Sequence, residues 1–337
     1  MLLLDSVYIN NSGGRVLLNY LVKELNRSGA EVFYLFDERC IGGFDEIPDT
    51  HKVFLRPSLI ERHKFYRKNK NRFSKVLCFG NIPPTIRLKM PVYTYFHNVL
   101  LASHFNILSL WLTTRVSVKK LILQQFKKNS DYFIVQTDFV KNIFINTFSV
   151  DNENCIVFPF YDDTKFTYNM ESKINTDFLY VSDGNQHKNH LKLLHAWEKV
   201  NAGRPELRLI LTVSGNYPEL QQMIQNYTAK GCNIKNCGLL SKQELAQLYR
   251  TSKYIVYPSM AESFGLGLIE GVEHGCDIIA SELEFVHAVV EPYKTFNPLS
   301  EDDIADKILS ASLGKEERKT KLKVRNEIAN LIAVLTK

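Results

Sequence analysis

The sequence predicts an α/β protein built as two doubly wound domains. Short, continuous apolar runs recur along the chain, as strands covered on both faces require. Helix-periodic stretches separate them, which is the alternation of a parallel sheet. The 337 residues are enough for two such domains.

In order, Met1–Ile9 reads as a strand, then a Gly13-Gly14 turn, then a helix with Leu17, Leu18, Leu21, Val22 and Leu25 on one face. Gly29 ends that helix, and Glu31–Phe36 is the next strand. Further strands are expected at Lys75–Phe79, Val92–Phe96 and Tyr132–Gln136. The polar, aperiodic stretch Phe160–Thr176 separates this pattern from a more regular one. There, strand Asp177–Asp183 precedes a helix with Leu191, Leu194, Trp197 and Val200. Strand Leu207–Gly215, a helix over 217–230 and a strand at Asn233–Leu240 follow. A helix over 241–252, strand Lys253–Ser259, a helix over 265–274, strand Asp277–Ser281 and a short unit near Thr295 complete the pattern. Lys315–Lys337 is charged first and then amphipathic, and is expected to form a helix that packs back across the domains. The expected boundaries are 1–160, 161–314 and 315–337.

Hydrophobic residues at 45% and charged residues at 23% exclude disorder and collagen-like sequence. The six cysteines form no CxxC pair, so a reduced, cytoplasmic protein is expected. Met1–Ile9 contains Asp5 and lacks a basic lead-in, so no signal peptide is expected. Tyr93–Thr114 is uncharged but too polar for a membrane span. The net charge of +6 is unevenly placed. Residues 1–150 carry 21 Lys and Arg against 11 Asp and Glu, or +10, while 151–337 carry 21 against 25, or −4. Within the basic half, Arg62–Lys75 interleaves basic and aromatic residues. Leu100, Leu101, Phe105, Leu108, Trp111 and Leu112 precede Arg115, Lys119, Lys120, Lys127 and Lys128. Apolar groups beside cations suit an anionic membrane surface, and equally a buried helix with solvated lysines. No nucleic-acid motif accompanies the charge.

Three strand-to-helix turns carry chemistry. In Ser259–Glu270 (SMAESFGLGLIE), Gly265 and Gly267 open a helix whose free N–H groups suit an anion. Glu270 lies roughly 5–8 Å further along the axis, about the span from a diphosphate to a ribose. In Val181–Asn189 (VSDGNQHKN), Lys188 stands just before a helix, placed to neutralise phosphate. His187 and His190 lack a carboxylate partner set for a metal. Asn10–Arg15 (NNSGGR) offers Gly13 and Gly14 for close backbone approach. His97 ends an apolar strand, and Cys237–Leu240 (CGLL) ends another.

The run PSMAESFGLGLIEGVEHG resembles the signature of retaining nucleotide-sugar glycosyltransferases of family four, which have GT-B architecture: two Rossmann-like domains facing a cleft. Pro258, Ser259, Glu262, Phe264, Gly265, Leu266 and Glu270 match it. The resemblance implies that Glu262 contacts the donor sugar and Glu270 the ribose. It implies that the backbone around Ser263 and Phe264–Leu266 holds sugar and phosphate, with Ser259 beside it. Lys188 matches the family's diphosphate lysine, but Ser182 and Asp183 stand where Gly and Arg are usual, so a diphosphate contact is either absent or supplied elsewhere, by His187 or the basic domain. Gly13 and Gly14 resemble the loop facing donor phosphates and acceptor, His97 the histidine near the sugar, and Cys237, Gly238 and Leu239 the segment lining the base.

The resemblance thus implies a retaining, metal-independent hexosyltransferase acting on a nucleotide-diphosphate sugar as co-substrate, with no cofactor. Its acceptor would be a saccharide or lipid-linked saccharide in O-antigen, capsule or other surface-glycan synthesis, and its place cytoplasmic or peripheral at the inner membrane face. No DxD motif, P-loop or GxSxG is present. A non-catalytic nucleotide-sugar-binding subunit is the alternative, and Asp183 favours it. An epimerase or glycan phosphorylase is disfavoured by the intact Glu262-to-Glu270 spacing.

Overall fold

The computed structural model describes residues 1–102, 110–163, 175–314 and 320–337, with the side chains of 110–115, 175 and 176 excepted. Two compact units result: Met1–Asp162 with Arg325–Lys337, and Asp163–Val324.

The first unit contains a seven-stranded, fully parallel sheet. Its strands are β1 (Leu2–Asp5), β2 (Val32–Asp37), β3 (Lys52–Leu55), β4 (Lys75–Cys78), β5 (Val92–Tyr95), β6 (Tyr132–Val135) and β7 (Cys155–Val157), in the order 3-2-1-4-5-6-7. Helix α1 (Ser12–Arg27) buries Leu17, Leu18, Leu21, Val22 and Leu25, the face its spacing predicts. Gly29 follows it at φ +70°, a left-handed position that an L side chain resists. Helices α2 (Leu59–Asn69), α3 (Leu110–Phe126) and α4 (Asp138–Phe148) lie between later strands. One core cluster joins Leu3, Val76, Val92, Tyr66 and Phe73, and another joins Phe96, Phe133, Phe144 and Phe148.

The second unit contains a six-stranded parallel sheet. Its strands are β8 (Asn175–Tyr180), β9 (Arg208–Leu211), β10 (Ile234–Asn236), β11 (Ser252–Tyr257), β12 (Asp277–Ser281) and, after the short β13 (Val290–Glu291), β14 (Lys294–Phe296). The order is 10-9-8-11-12-14, so the same reversal recurs, here between β8 and β11. Helices α5 (His190–Gly203), α6 (Pro218–Ala229), α7 (Lys242–Thr251), α8 (Leu266–Glu273), α9 (Glu284–Val289) and α10 (Glu301–Ser312) cover it. α7 begins with a complete capping box between Ser241 and Glu244.

Four expectations change. The glycines 13 and 14 do not form a turn before α1 but lie in its first turn, and the left-handed residue is Ser12 at φ 52°. The basic run 62–75 is exposed only in part. It begins inside α2 and leaves Lys64, Arg67, Lys68, Lys70 and Arg72 exposed, while Arg62, Tyr66 and Phe73 are buried in the core, Arg62 because Asp5 pairs with its charge. Leu191 is 46% exposed, and α5 instead buries Leu193, Leu194, Trp197 and Val200, the i, i+1, i+4, i+7 set of a helix facing a sheet. The C-terminal helix is only α11 (Ile328–Thr336), grouped with the first unit, where Lys75 Nζ donates to Val334 O at 2.6 Å. Lys321–Leu322 is a strand, β15, paired antiparallel with β13. Residues 315–319 lie outside the described residues, as do Phe105 and Leu108, and so do the side chains of Trp111, Leu112 and Arg115.

Candidate functional site

In a doubly wound sheet, ligands bind beyond the carboxyl ends of the strands, where the strand order reverses. In the second unit the walls at that point are the turn after β8 (181–189) and the turn after β11 (258–265).

These two turns are fastened to each other. Met260 N donates to His187 O at 2.8 Å. Asn189, left-handed at φ 60°, donates from Nδ2 to Pro258 O at 3.2 Å and to Pro298 O at 2.8 Å. Tyr180 Oη donates to Lys188 O at 2.9 Å and lies 2.8 Å from Ser259 Oγ. Ser259 is fully buried, so its hydroxyl serves this internal bond rather than facing outward. Across the turns, Lys188 Nζ meets Glu262 Oε1 at 2.6 Å, with side chains 14% and 12% exposed. Tyr257 Oη donates to the same oxygen at 3.0 Å. Lys188 and Glu262, singled out separately from the sequence, are therefore one ion pair.

Beyond it, Gly265 caps α8 in the left-handed conformation at φ 71°. A Cβ there would come within 3.0 Å of Leu268 Cδ1, so the position needs glycine twice over. Leu266 is the first residue of α8, the Phe264 ring is buried, and Ser263 and Glu270 are half-buried. Glu270 Oε2 accepts from Tyr249 Oη at 2.7 Å. Asp183 Oδ1 accepts from Asn185 N at 3.2 Å, and Gly184 is covered by Tyr217, whose Cγ would lie 2.4 Å from an added Cβ. The chain after β10 is held by Asn236, whose Oδ1 accepts from Val213 N at 2.9 Å. Cys237 N donates to Leu211 O at 2.8 Å, Gly238 is left-handed at φ +67°, and Leu239 is 88% exposed.

Burial disfavours the charged form of both histidines here. Burial, then Lys188, lowers the pKa of His187 against the opposing pull of Glu262 and Asp183. Burial holds His190 down at about 3.

The first unit reverses its order between β1 and β4. A cavity of about 230 Å³ opens there, lined among others by Tyr8, Asn11, Gly14, Asn81, His97 and Lys119. His97 Nε2 lies 3.0 Å from Phe79 O, which only accepts, and 3.3 Å from Asn81 Nδ2, which only donates; the shorter contact assigns the proton to Nε2. Nδ1 is then the acceptor while the ring is neutral, and burial lowers its pKa to about 4. A Cβ on Gly14 would lie 3.1 Å from His97 Cε1, so glycine is what admits the ring. Asn81 Oδ1 accepts from His97 N at 2.7 Å, with Asn81 left-handed at φ 66°. The structure thus brings Gly14 and His97 together.

Sequence reasoning missed Tyr180, Tyr257, Asn189, Tyr8 and Asn81. Tyr180 and Tyr257 are the last residues of β8 and β11, inside the longer strands expected from the sequence, so no local pattern set them apart. Tyr8 and Asn81 have positive φ, which no local pattern announces.

Residues 165–325 match the family model of glycosyl transferases group 1. The O-antigen chain mannosyltransferase RfbU of Salmonella typhimurium is 25% identical over 175 residues, 51% of this chain and 48% of that protein. The MMP α-(1→4)-mannosyltransferase of Mycolicibacterium hassiacum is 27% identical over 150 residues, 44% of this chain and 36% of that one. The match therefore spans less than half the length of these curated relatives. Among solved structures, Anabaena HepE in complex with UDP and glucose aligns with a TM-score of 0.69 at 13% identity, covering 100% of this chain and 95% of that one. The sucrose-phosphate synthase of Thermosynechococcus elongatus aligns with a TM-score of 0.70 at 16% identity, covering 100% and 94%. The chain has the two-domain Rossmann-like GT-B fold, and its residues 165–325 match the glycosyl transferases group 1 family.

Proposed function

We propose that this protein is a retaining glycosyltransferase that moves a hexose from a nucleotide-diphosphate sugar to a saccharide or lipid-linked saccharide during surface-glycan synthesis. The observation that carries the reading is the Lys188–Glu262 pair at the β8/β11 reversal, beside the glycine-opened N-terminus of α8. An ammonium has three N–H groups and Glu262 takes one, which leaves donors for a phosphate oxygen. Lys188 and the α8 N-terminus stabilise the charge of the leaving diphosphate, and no metal is required for that step. Glu262 orients sugar hydroxyls, Glu270 binds the ribose, and the segment 237–239 lines the base. In the first unit, the neutral His97 accepts a sugar hydroxyl at Nδ1. The location is cytoplasmic. An anionic membrane surface as partner rests on α3, where Val118 and Leu121 are exposed. No helix among the described residues is long and apolar enough to cross a membrane.

Asp183 supports a second reading, a nucleotide-sugar-binding subunit without turnover, because it sets a carboxylate in the phosphate turn. A thermal-shift screen against UDP, GDP, dTDP and ADP and their sugars tests the shared part. A ligand at 100 times its Kd stabilises by about 2.7 kcal/mol. Transfer by the wild type and its loss in Glu262→Ala then favour the enzyme. Turnover near wild type in Glu262→Ala removes the residue from the site.

A further inference from the structure

Two imidazoles flank Lys188, and each keeps a buried ring nitrogen with no hydrogen-bond partner: His187 Nδ1 and His190 Nδ1. His190 is 4% exposed and opens α5, whose N-cap Asn189 supplies no side-chain cap. Buried polar atoms are nearly always partnered, so a pair of orphans at a helix entrance marks a place that a ligand completes. The charge there is short of cations. Lys188 is the lone cation among the groups that interact with His187, and it faces two carboxylates, Asp183 from its own turn and Glu262 from the turn after β11. The local balance is negative before any phosphate arrives. The remaining titratable neighbours are His190 on α5, the phenols Tyr180 and Tyr257 at the ends of β8 and β11, and the phenol of Tyr217, which covers Gly184 and has its pKa raised by burial. All are neutral, because burial lowers the imidazole and raises the phenols.

We propose that His187 takes up a proton when a nucleotide-diphosphate sugar binds, and that its imidazolium is the second cation of the diphosphate site, with Asp183 steadying its charge. The proposal rests on the nucleotide-sugar reading above. His187 is the candidate because it is only partly buried and precedes the helix. His190 Nε2 lies 3.3 Å from Ser182 Oγ, and its ring sits in the first turn of α5, where the helix dipole disfavours positive charge. The proton comes from solvent and no covalent bond changes. Asp183 then has a role that a purely electrostatic diphosphate clamp would not give it. A carboxylate beside a fixed arginine-like cation would be a handicap, whereas beside a titrating imidazole it sets the proton affinity.

Phosphate contact raises the pKa of His187 from its lowered ligand-free value, so affinity rises as pH falls through the bound-state pKa. It levels off below the ligand-free pKa. The phosphates of a nucleotide sugar have no proton to exchange between about pH 5 and 8, so any uptake belongs to the protein.

Isothermal titration with UDP-glucose and with GDP-mannose, in two buffers of different ionisation enthalpy, counts the protons. For the probe that binds, uptake of about 0.5–1 proton near pH 6.5 is expected, with a roughly five- to tenfold weaker Kd at pH 8. His187→Gln should bind with the pH 8 affinity at every pH and take up no proton. Asp183→Asn should move the midpoint of the pH dependence down. Binding by the wild type without proton uptake, or uptake that persists in His187→Gln, overturns the proposal and leaves the donor reading standing. Failure of both probes and of all four nucleoside diphosphates to bind at any pH overturns the donor reading, and this proposal with it.

Discussion

Neutralising Lys188 alone should destabilise the second unit more than neutralising Lys188 and Glu262 together. The charges lie 2.6 Å apart with side chains 14% and 12% exposed. At an effective dielectric of about 20, their bare attraction is roughly 6 kcal/mol. Desolvation of both ions cancels most of that, which leaves a coupling of about 2 kcal/mol. Lys188→Met keeps Glu262 charged with the Tyr257 hydroxyl beside it, and should cost about 2–3 kcal/mol. Glu262→Gln strands the ammonium and should cost somewhat less, because the longer lysine stem reaches water. The double variant should cost only about 1–2 kcal/mol. Urea unfolding followed by Trp197 fluorescence measures this. Trp197 is fully buried in α5 of this unit, and Trp111→Phe removes the other tryptophan of the chain. Nucleotide affinity should behave differently: lost in Lys188→Met and not regained in the double variant. Single costs that add to the double within about 0.5 kcal/mol would show that the pair is a geometric coincidence and refute the reasoning.

Gly184→Ala sets a Cβ 2.4 Å from Tyr217 Cγ and should cost about 1–3 kcal/mol by forcing the ring off the turn. A Tm within a degree of wild type would mean that Tyr217 is free to move. Arg62→Met leaves Asp5 charged and fully buried and releases the carbonyls of Ile82 and Pro83. A loss of about 3–5 kcal/mol is expected, read from the urea midpoint, and a neutral outcome contradicts the assigned pairing. Stability should also fall on acidification. His97 and His190 are held down to about 4 and 3, so below the unfolded-state pKa the unfolded chain binds more protons than the folded one. Their contribution is fully present above about pH 6.5 and is lost as pH falls from there, by up to roughly 1.4 kcal/mol per pH unit for each histidine. Urea titrations between pH 7 and 5 should show this slope, shallower in His190→Gln, and a flat profile refutes it.

The parts of this molecule that were legible in its sequence are those fixed by local pattern. Strand β12 matches its expected bounds, and α6, α7 and α8 lie within about two residues of theirs, because apolar periodicity and caps act over one or two turns. Strands β3 and β7 were not foreseen. Apart from Cys155, their residues are only partly buried at the first sheet's two edges, so their apolar runs are short. Within the run 62–75, Lys64, Arg67, Lys68, Lys70 and Arg72 are solvated as its charge density suggests, and only Asp5, 57 residues away, shows that Arg62 is internal. In the site, Lys188, Glu262, Gly265 and Glu270 were found because their spacing in the chain is itself the signal. That Lys188 and Glu262 touch, 74 residues apart, follows from the strand order and from no local feature. The tyrosines that hold the two turns were invisible for the same reason.

The central claim is that this chain turns over a nucleotide sugar at the site of Lys188 and Glu262. Incubation of the purified protein with ¹³C-labelled UDP, GDP, dTDP and ADP sugars and a saccharide acceptor, followed by NMR at the anomeric carbon, tests it directly. The account predicts release of one nucleoside diphosphate and a product that keeps the donor's anomeric configuration, with both lost in Glu262→Ala. A product of inverted configuration contradicts the retaining mechanism, and a donor that binds but is never consumed contradicts catalysis itself.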